Sequence, residues 1–159
     1  MIKASVVLAF YNRVDYLRLV LAGFERQSFK DFEILIADDG SLQKTVNDVE
    51  KLSIELSYPV THLWHEDKGF RKNKILNKAI MAAKSEYLIF IDADCVPHSG
   101  FVSEHLDYKG KGKCLTGRRV NLSDKITGML TPQNVKEGFL EKKMLLLINE
   151  IRRKVISKK

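Results

Sequence analysis

One stretch constrains this chain more than any other: Tyr87-Leu88-Ile89-Phe90-Ile91-Asp92-Ala93-Asp94, in which five apolar residues give way abruptly to two acids. A short β-branched and aromatic run with polar borders is the pattern of a strand buried on both faces. In extended chain, residues i and i+2 point to the same side, which places the Asp92 and Asp94 carboxylates together, about 6 to 7 Å apart at the backbone. Carboxylates that close repel each other, and one takes up a proton unless a cation or good donors stand nearby. A hard divalent ion, Mg²⁺ or Mn²⁺, prefers oxygen ligands and matches such a pair. Alone, Asp-x-Asp equally describes an acidic turn after a strand, so the rest of the chain has to decide.

The preceding segments repeat the theme. Ala4-Ser5-Val6-Val7-Leu8-Ala9-Phe10 reads as a buried strand running into Tyr11-Asn12-Arg13, and Leu17, Val20, Leu21 and Phe24 recur at the spacing of an amphipathic helix. Phe32 to Ala37 is a second strand ending in Asp38-Asp39-Gly40-Ser41, followed by a helix through Val46, Val49, Leu52 and Leu56. Pro59 to Trp64 is a third, weaker strand that meets His65-Glu66-Asp67-Lys68-Gly69-Phe70, and Ile75, Leu76, Ala79, Ile80 and Ala83 define a third helix. Strands alternating with helices predict right-handed βαβ units, hence an α/β fold with a mainly parallel, twisted sheet flanked by helices. In such sheets ligands bind beyond the carboxyl ends of the strands. Asn12, Asp38 with Asp39, Asp67 with Lys68, and Asp92 with Asp94 all fall at that edge, and four strands ending in polar clusters indicate a binding site.

The kind of site is narrowed by the first strand's exit, Phe10-Tyr11-Asn12-Arg13, where no glycine-rich phosphate loop stands. Neither a dinucleotide fingerprint nor a P-loop is available. A metal on Asp92 and Asp94, assisted by Lys68, Arg71, Lys72 or Lys74, is then the means of neutralising a diphosphate.

At these residues the chain resembles the family 2 glycosyltransferases of the GT-A fold, which are nucleotide-sugar-dependent enzymes. The resemblance is carried by Val6 to Arg13, Phe32 to Ser41, Gly69 to Asn77 and Ile89 to Asp94, in the family's order and spacing, over roughly residues 1–120. It implies that Ala9, Phe10 and Asn12 line the nucleotide pocket and that Asp39 accepts a hydrogen bond from the base, usually uracil. It further implies Arg71 near the diphosphate, Asp92 at the ribose or metal, and Asp94 as the direct ligand of Mg²⁺ or Mn²⁺. Gly69-Phe70-Arg71 followed by Asn73 looks most like the branch with chondroitin-polymerase-type enzymes. The expected activity is inverting transfer from a nucleotide-diphosphate sugar, a UDP-sugar by preference, to a glycan or lipid-linked acceptor.

Family members add an acceptor-side half with an acidic motif that supplies the general base. After Thr116-Gly117-Arg118-Arg119 only isolated acids follow, namely Asp124, Glu137, Glu141 and Glu150, so the expectation is a donor domain over 1–120 and a partial acceptor-side region over 121–159 without that base. A truncated module that binds nucleotide without catalysis is the second reading. A third rests on Asp92-Ala93-Asp94-Cys95-Val96, which fits the Asp-x-Asp-x-Val/Thr pattern of haloacid-dehalogenase-type phosphatases, although there the motif closes the first strand.

Charge and composition set the remaining bounds. Of the net +7, residues 136–159 hold eight Lys or Arg against three Glu, so the excess belongs to the tail. That tail, with Leu140, Met144, Leu147, Ile148, Ile151 and Val155 at helical spacing, reads as a basic amphipathic helix. It suits the domain's own sheet, an anionic membrane surface or a second copy. Aromatics do not interleave with those basic residues, which argues against nucleic acid. No run reaches the length of a membrane span, and Met1-Ile2-Lys3 leads into a strand, so a cytoplasmic protein, peripheral at most to the inner membrane face, is expected. Cys95 and Cys114 read as reduced core residues, Trp64 as core, and His62, His65, His98 and His105 as histidines without metal-ligand spacing, with His98 alone near the metal position.

Overall fold

The computed structural model describes residues 1–143. Four strands form one parallel sheet: β1 (Ala4–Phe10), β2 (Phe32–Asp38), β3 (Val60–Trp64) and β4 (Leu88–Asp92), in the spatial order β3-β2-β1-β4. The helices α1 (Val14–Glu25), α2 (Gln43–Ile54) and α3 (Lys72–Ala82) alternate with them, and α4 (Phe101–Tyr108), α5 (Asp124–Thr127) and α6 (Pro132–Lys136) follow. From β1 the chain steps outward through β2 to β3, then returns to place β4 on the other side of β1. That reversal makes the β1/β4 border the crevice where α/β sheets bind ligands. The register pairs Ala9 with Asp92, Phe10 with Asp38, and Asp38 with Trp64, so the acids of β2 and β4 reach one edge.

Alternation along the strands sorts two layers. Val6, Leu8 and Phe10 of β1 with Ile34 and Ile36 of β2 face Leu17, Val20, Leu21 and Phe24 of α1, Val49 of α2 and Val102 of α4. Phe24 stacks among Phe32, Tyr58 and Phe101 with ring centroids 5.9 to 6.4 Å apart, the spacing at which aromatic pairs attract. On the other face Val7, Leu35 and Ala37 meet α3 through Ile75 and Ala79.

β4 departs from its expected burial. Among the described residues it is an edge strand with Ile89 buried and Phe90 51% exposed, because α3 spreads over β1, β2 and β3 and leaves one face of β4 uncovered. Its extended course also stops at Asp92: the Cys95 N–H donates to the Asp92 carbonyl, so Asp94 sits in a turn where strand alternation no longer applies. Trp64 is 41% exposed and donates its indole N–H to the Ser41 carbonyl, so it belongs to the sheet edge, not the core. Cys114 is exposed and Cys95 half-buried, and neither contributes to the core.

Beyond α4 the chain returns to α1. Val135 of α6 is buried, Thr131 and Asn134 form a reciprocal capping box, and residues 139–143 are helical. The remainder of the amphipathic helix expected over 138–159 lies outside the described residues. Arg26 grips Glu141 bidentately at 2.8 Å on each arm, and Glu141 also accepts the Ser99 N–H at 2.7 Å. Gly138, at φ +80°, has Arg26 where a Cβ would lie, with Nη2 2.7 Å from that point.

The Arg26 guanidinium holds the Glu141 carboxyl well below the usual carboxylate range, at about 2. A depressed folded-state value means that this contact stabilises above about pH 4.5 and that its contribution is lost as pH falls towards 2. Arg26→Gln is expected to lower stability by about 1 kcal/mol at pH 7, a few degrees in Tm for a domain of this size. The gap from wild type should close as pH is lowered, and paired thermal melts from pH 7 to pH 2.5 measure it.

Candidate functional site

The site is assembled from the ends of β1, β2 and β4 and the first turn of α3. A cleft of about 400 Å³ is lined by Ala9, Phe10, Tyr11, Asp39, Asp67, Gly69, Phe70 and Lys72. A second hollow of about 300 Å³, between α3 and the open face of β4, shares Ala9 and Lys72 with the first and adds Asp92, Phe90 and Leu76. Volume and mixed lining suit a small ligand with a few fixed polar contacts.

At the β2 end two consecutive carboxylates are buried. Asp38 accepts the Ser41 N–H at 2.8 Å and pairs with His62 Nε2 at 2.9 Å. Asp39 pairs with His65 Nε2 at 2.8 Å and accepts the Arg71 N–H at 2.9 Å. Ionised carboxylates only accept, so both imidazoles donate. The loop over 65–71 is thereby drawn onto the turn after β2. Tyr11 reinforces it by donating to Asp67 at 3.1 Å, a contact that pushes the Tyr11 phenol above its ordinary range. Asp67 in turn accepts the Gly69 N–H. Gly40, at φ +96°, makes the approach feasible, since a Cβ there would stand 2.6 Å from the Asp67 Cα.

At the β4 end, Lys72 pairs with Asp92 at 2.8 Å. Asp94 is exposed and accepts from the neighbouring Cys95 thiol, which burial, with Asp94 beside it, pushes up to about 11. Among the described residues no group of three or more His, Cys, Asp or Glu side chains is placed to hold a metal ion.

The sequence-predicted residues divide accordingly. Ala9, Phe10 and Asp39 line the main cleft, and Asp92 lines the hollow beside it. Asn12 sits at φ +55° and is engaged elsewhere: its Oδ1 accepts the Leu42 N–H and its own N–H donates to Ser41, which ties the β1 exit to the turn after β2. Arg71 contributes its backbone N–H to Asp39, while its guanidinium donates to the Glu66 carbonyl within the loop. His98 faces Glu104 and Phe101. The sequence marks His62 and His65 only as histidines without metal-ligand spacing and Tyr11 only as part of the first strand's exit, whereas the structure brings all three to the acids of the site. The available signal was that two acids at the end of an apolar strand need donors, and the next strand carries His62 within it and His65 just beyond its end.

Residues 5–156 match the family model described as Glycosyl transferase family 2. The chain belongs to that family. TarS, the poly(ribitol-phosphate) beta-N-acetylglucosaminyltransferase of Staphylococcus aureus, is 32% identical over 96 residues, covering 59% of this chain and 16% of TarS. Chondroitin synthase of Escherichia coli is 27% identical over 104 residues, 65% of this chain and 15% of the relative. A GalNAc(5)-diNAcBac-PP-undecaprenol beta-1,3-glucosyltransferase of Campylobacter jejuni is 28% identical over 135 residues, 79% of this chain and 42% of the relative. This family 2 chain therefore spans less than half the length of each of these relatives. Its fold is of the GT-A type: the crystal structure of S. aureus TarS superposes with a TM-score of 0.56 at 28% identity, covering 67% of this chain and 19% of TarS. A TarS 1-349 structure in complex with UDP-GlcNAc gives 0.55 at 28% identity over 67% of this chain and 30% of that one. Membership of family 2, with Asp92 closing the fourth strand and not the first, sets the phosphatase reading aside. No described helix is long and apolar enough to cross a membrane.

Gly40→Ala is expected to force the turn after β2 away from Asp67, costing about 1 to 3 kcal/mol through strain and opening the cleft. Denaturant unfolding checks the first effect, and the exchange rate of the Arg71 amide checks the second.

Proposed function

We propose that this domain binds a uridine-diphosphate sugar, together with a divalent metal ion, for inverting transfer of the sugar to a glycan or lipid-linked acceptor. The observation that carries the reading is the cleft with the buried Asp39 carboxylate among its lining residues, joined through Lys72 to Asp92 at the β1/β4 border. Support also comes from the solved relative that holds UDP-GlcNAc and superposes on 67% of this chain.

Each part of such a donor finds a chemical match. Asp39 accepts the ring N–H of uracil, Ala9 and Phe10 give the base an apolar floor, and Lys72 offers a cation for the diphosphate. Asp92 and Asp94 would offer hard oxygen ligands to a divalent ion, fewer than the six that Mg²⁺ takes, which suits an ion shared with the diphosphate. When bound, that ion neutralises charge on the diphosphate and on the departing UDP. Lys72 meanwhile balances Asp92 in the free protein, and its release to a phosphate oxygen frees the carboxylate.

Calorimetric titration of UDP in the presence of Mn²⁺, and again with chelator, tests the reading. Asp94→Asn is expected to weaken UDP binding in the first condition and to leave it unchanged in the second. Affinity unaffected by chelator in the wild type would remove the metal from the proposal.

Asp39→Ala is expected to weaken UDP more than tenfold, since a hydrogen bond to a charged group is worth about 1.5 to 3 kcal/mol. The same titration measures it, and wild-type UDP affinity in that variant would exclude Asp39 as the base acceptor.

A further inference from the structure

Asp39 lies between the cleft and the loop over 65–71, 8% exposed, with Oδ1 held by His65 and Oδ2 by the Arg71 N–H. Each carboxylate oxygen has two lone-pair sites, so one protein donor on each leaves a second site on each for a ligand. His65 is itself buried and is absent from the cleft lining. Its Nδ1 has no hydrogen-bond partner among the described residues. The ring's single polar commitment is therefore Asp39. Burying an imidazole with one nitrogen unpartnered costs free energy that an aliphatic side chain of similar size would not, and what the ring provides in return is a fixed N–H aimed at one carboxylate oxygen. The same loop is also tied down by the Arg71 amide on Asp39 and by the Tyr11–Asp67 bond.

We propose that His65 is a positioning residue for nucleobase selection: its Nε2–H holds the Asp39 carboxylate oriented so that the free lone pairs meet the base. The inference rests on the donor-binding reading of the cleft and deepens it. An oriented carboxylate accepts the ring N–H of uracil, whereas cytosine presents a lone pair at the same position and is repelled. Selection between the two is set by how firmly the carboxylate is held, since a site built to pair one hydrogen-bonding pattern rejects the ligand that leaves it unpaired.

The experiment compares UDP and CDP binding by calorimetry at fixed Mn²⁺ in the wild type, His65→Gln and His65→Leu, with far-UV circular dichroism and thermal melts on each. Gln keeps an N–H donor at about the reach of Nε2, and Leu keeps the volume without it. The wild type is expected to prefer UDP at least tenfold. His65→Leu should lose about tenfold in UDP affinity with CDP nearly unchanged, and His65→Gln should recover most of the preference. An unchanged UDP-to-CDP ratio in folded His65→Leu overturns the proposal, as does an equal loss of both nucleotides, which would mark a merely structural residue. Should His65→Leu fail to fold, His65→Asn replaces it, because Asn is too short to reach Asp39. Retention of the ratio in Asn and Gln alike then overturns the proposal. A wild type that binds neither nucleotide overturns the donor-binding reading, and this inference with it. A wild type that binds UDP and CDP equally leaves donor binding standing and removes base selection by the His65 and Asp39 pair.

Discussion

Two adjacent carboxylates buried at the end of one strand govern the arrangement of everything near them. Asp38 is fully buried and Asp39 nearly so, and no lysine or arginine side chain pairs with either among the described residues. A buried carboxylate left without donors is several kcal/mol too costly to keep. The donors come from four residues: His62 within β3, His65 just beyond it, and the backbone N–H groups of Ser41 and Arg71. The neighbouring strand and the start of α3 are thereby pinned to the end of β2, and the cleft takes its shape as a by-product. Gly40 is part of the same solution, since only a residue without Cβ lets the 65–71 loop come close enough.

Consecutive residues at the start of α3 serve opposite sides of the cleft. Arg71 reaches Asp39 through its backbone, and Lys72 reaches Asp92 through its side chain. The spacing between the two acidic positions is thus set by one helical turn, a rigid element well suited to holding a ligand with a base at one end and a diphosphate at the other. In the proposed function this is how base recognition and charge neutralisation are kept in register.

The sheet is covered unequally, and that asymmetry shapes the site as well. Among the described residues three helices close one face around Phe24 and Phe32, whereas α3 alone covers the other, leaving Phe90 of β4 in the open. The hollow beside Asp92 exists because of this gap. A second helix on that face would have closed the β1/β4 crevice, the place where a parallel sheet of this order offers its strand ends to a ligand.

Hydrophobic periodicity along the chain determined the alternation of strands and helices, the parallel sheet, and the gathering of Asp39 and Asp92 at its carboxyl edge, because period and strand polarity are local properties that survive in one dimension. Tertiary structure alone decided which donor meets which acid. His62 is 24 residues from Asp38, His65 is 26 from Asp39, and Arg71 is 32 from it, and these partners become neighbours only through the register of β2 with β3 and the docking of α3. The same holds for Asn12, whose side chain is drawn to Leu42 by an adjacent loop, and for β4, whose apolar sequence fits a central strand but whose place at the sheet edge exposes it. An apolar run reports that a strand has something to bury; which of its faces finds a partner depends on where the other helices lie.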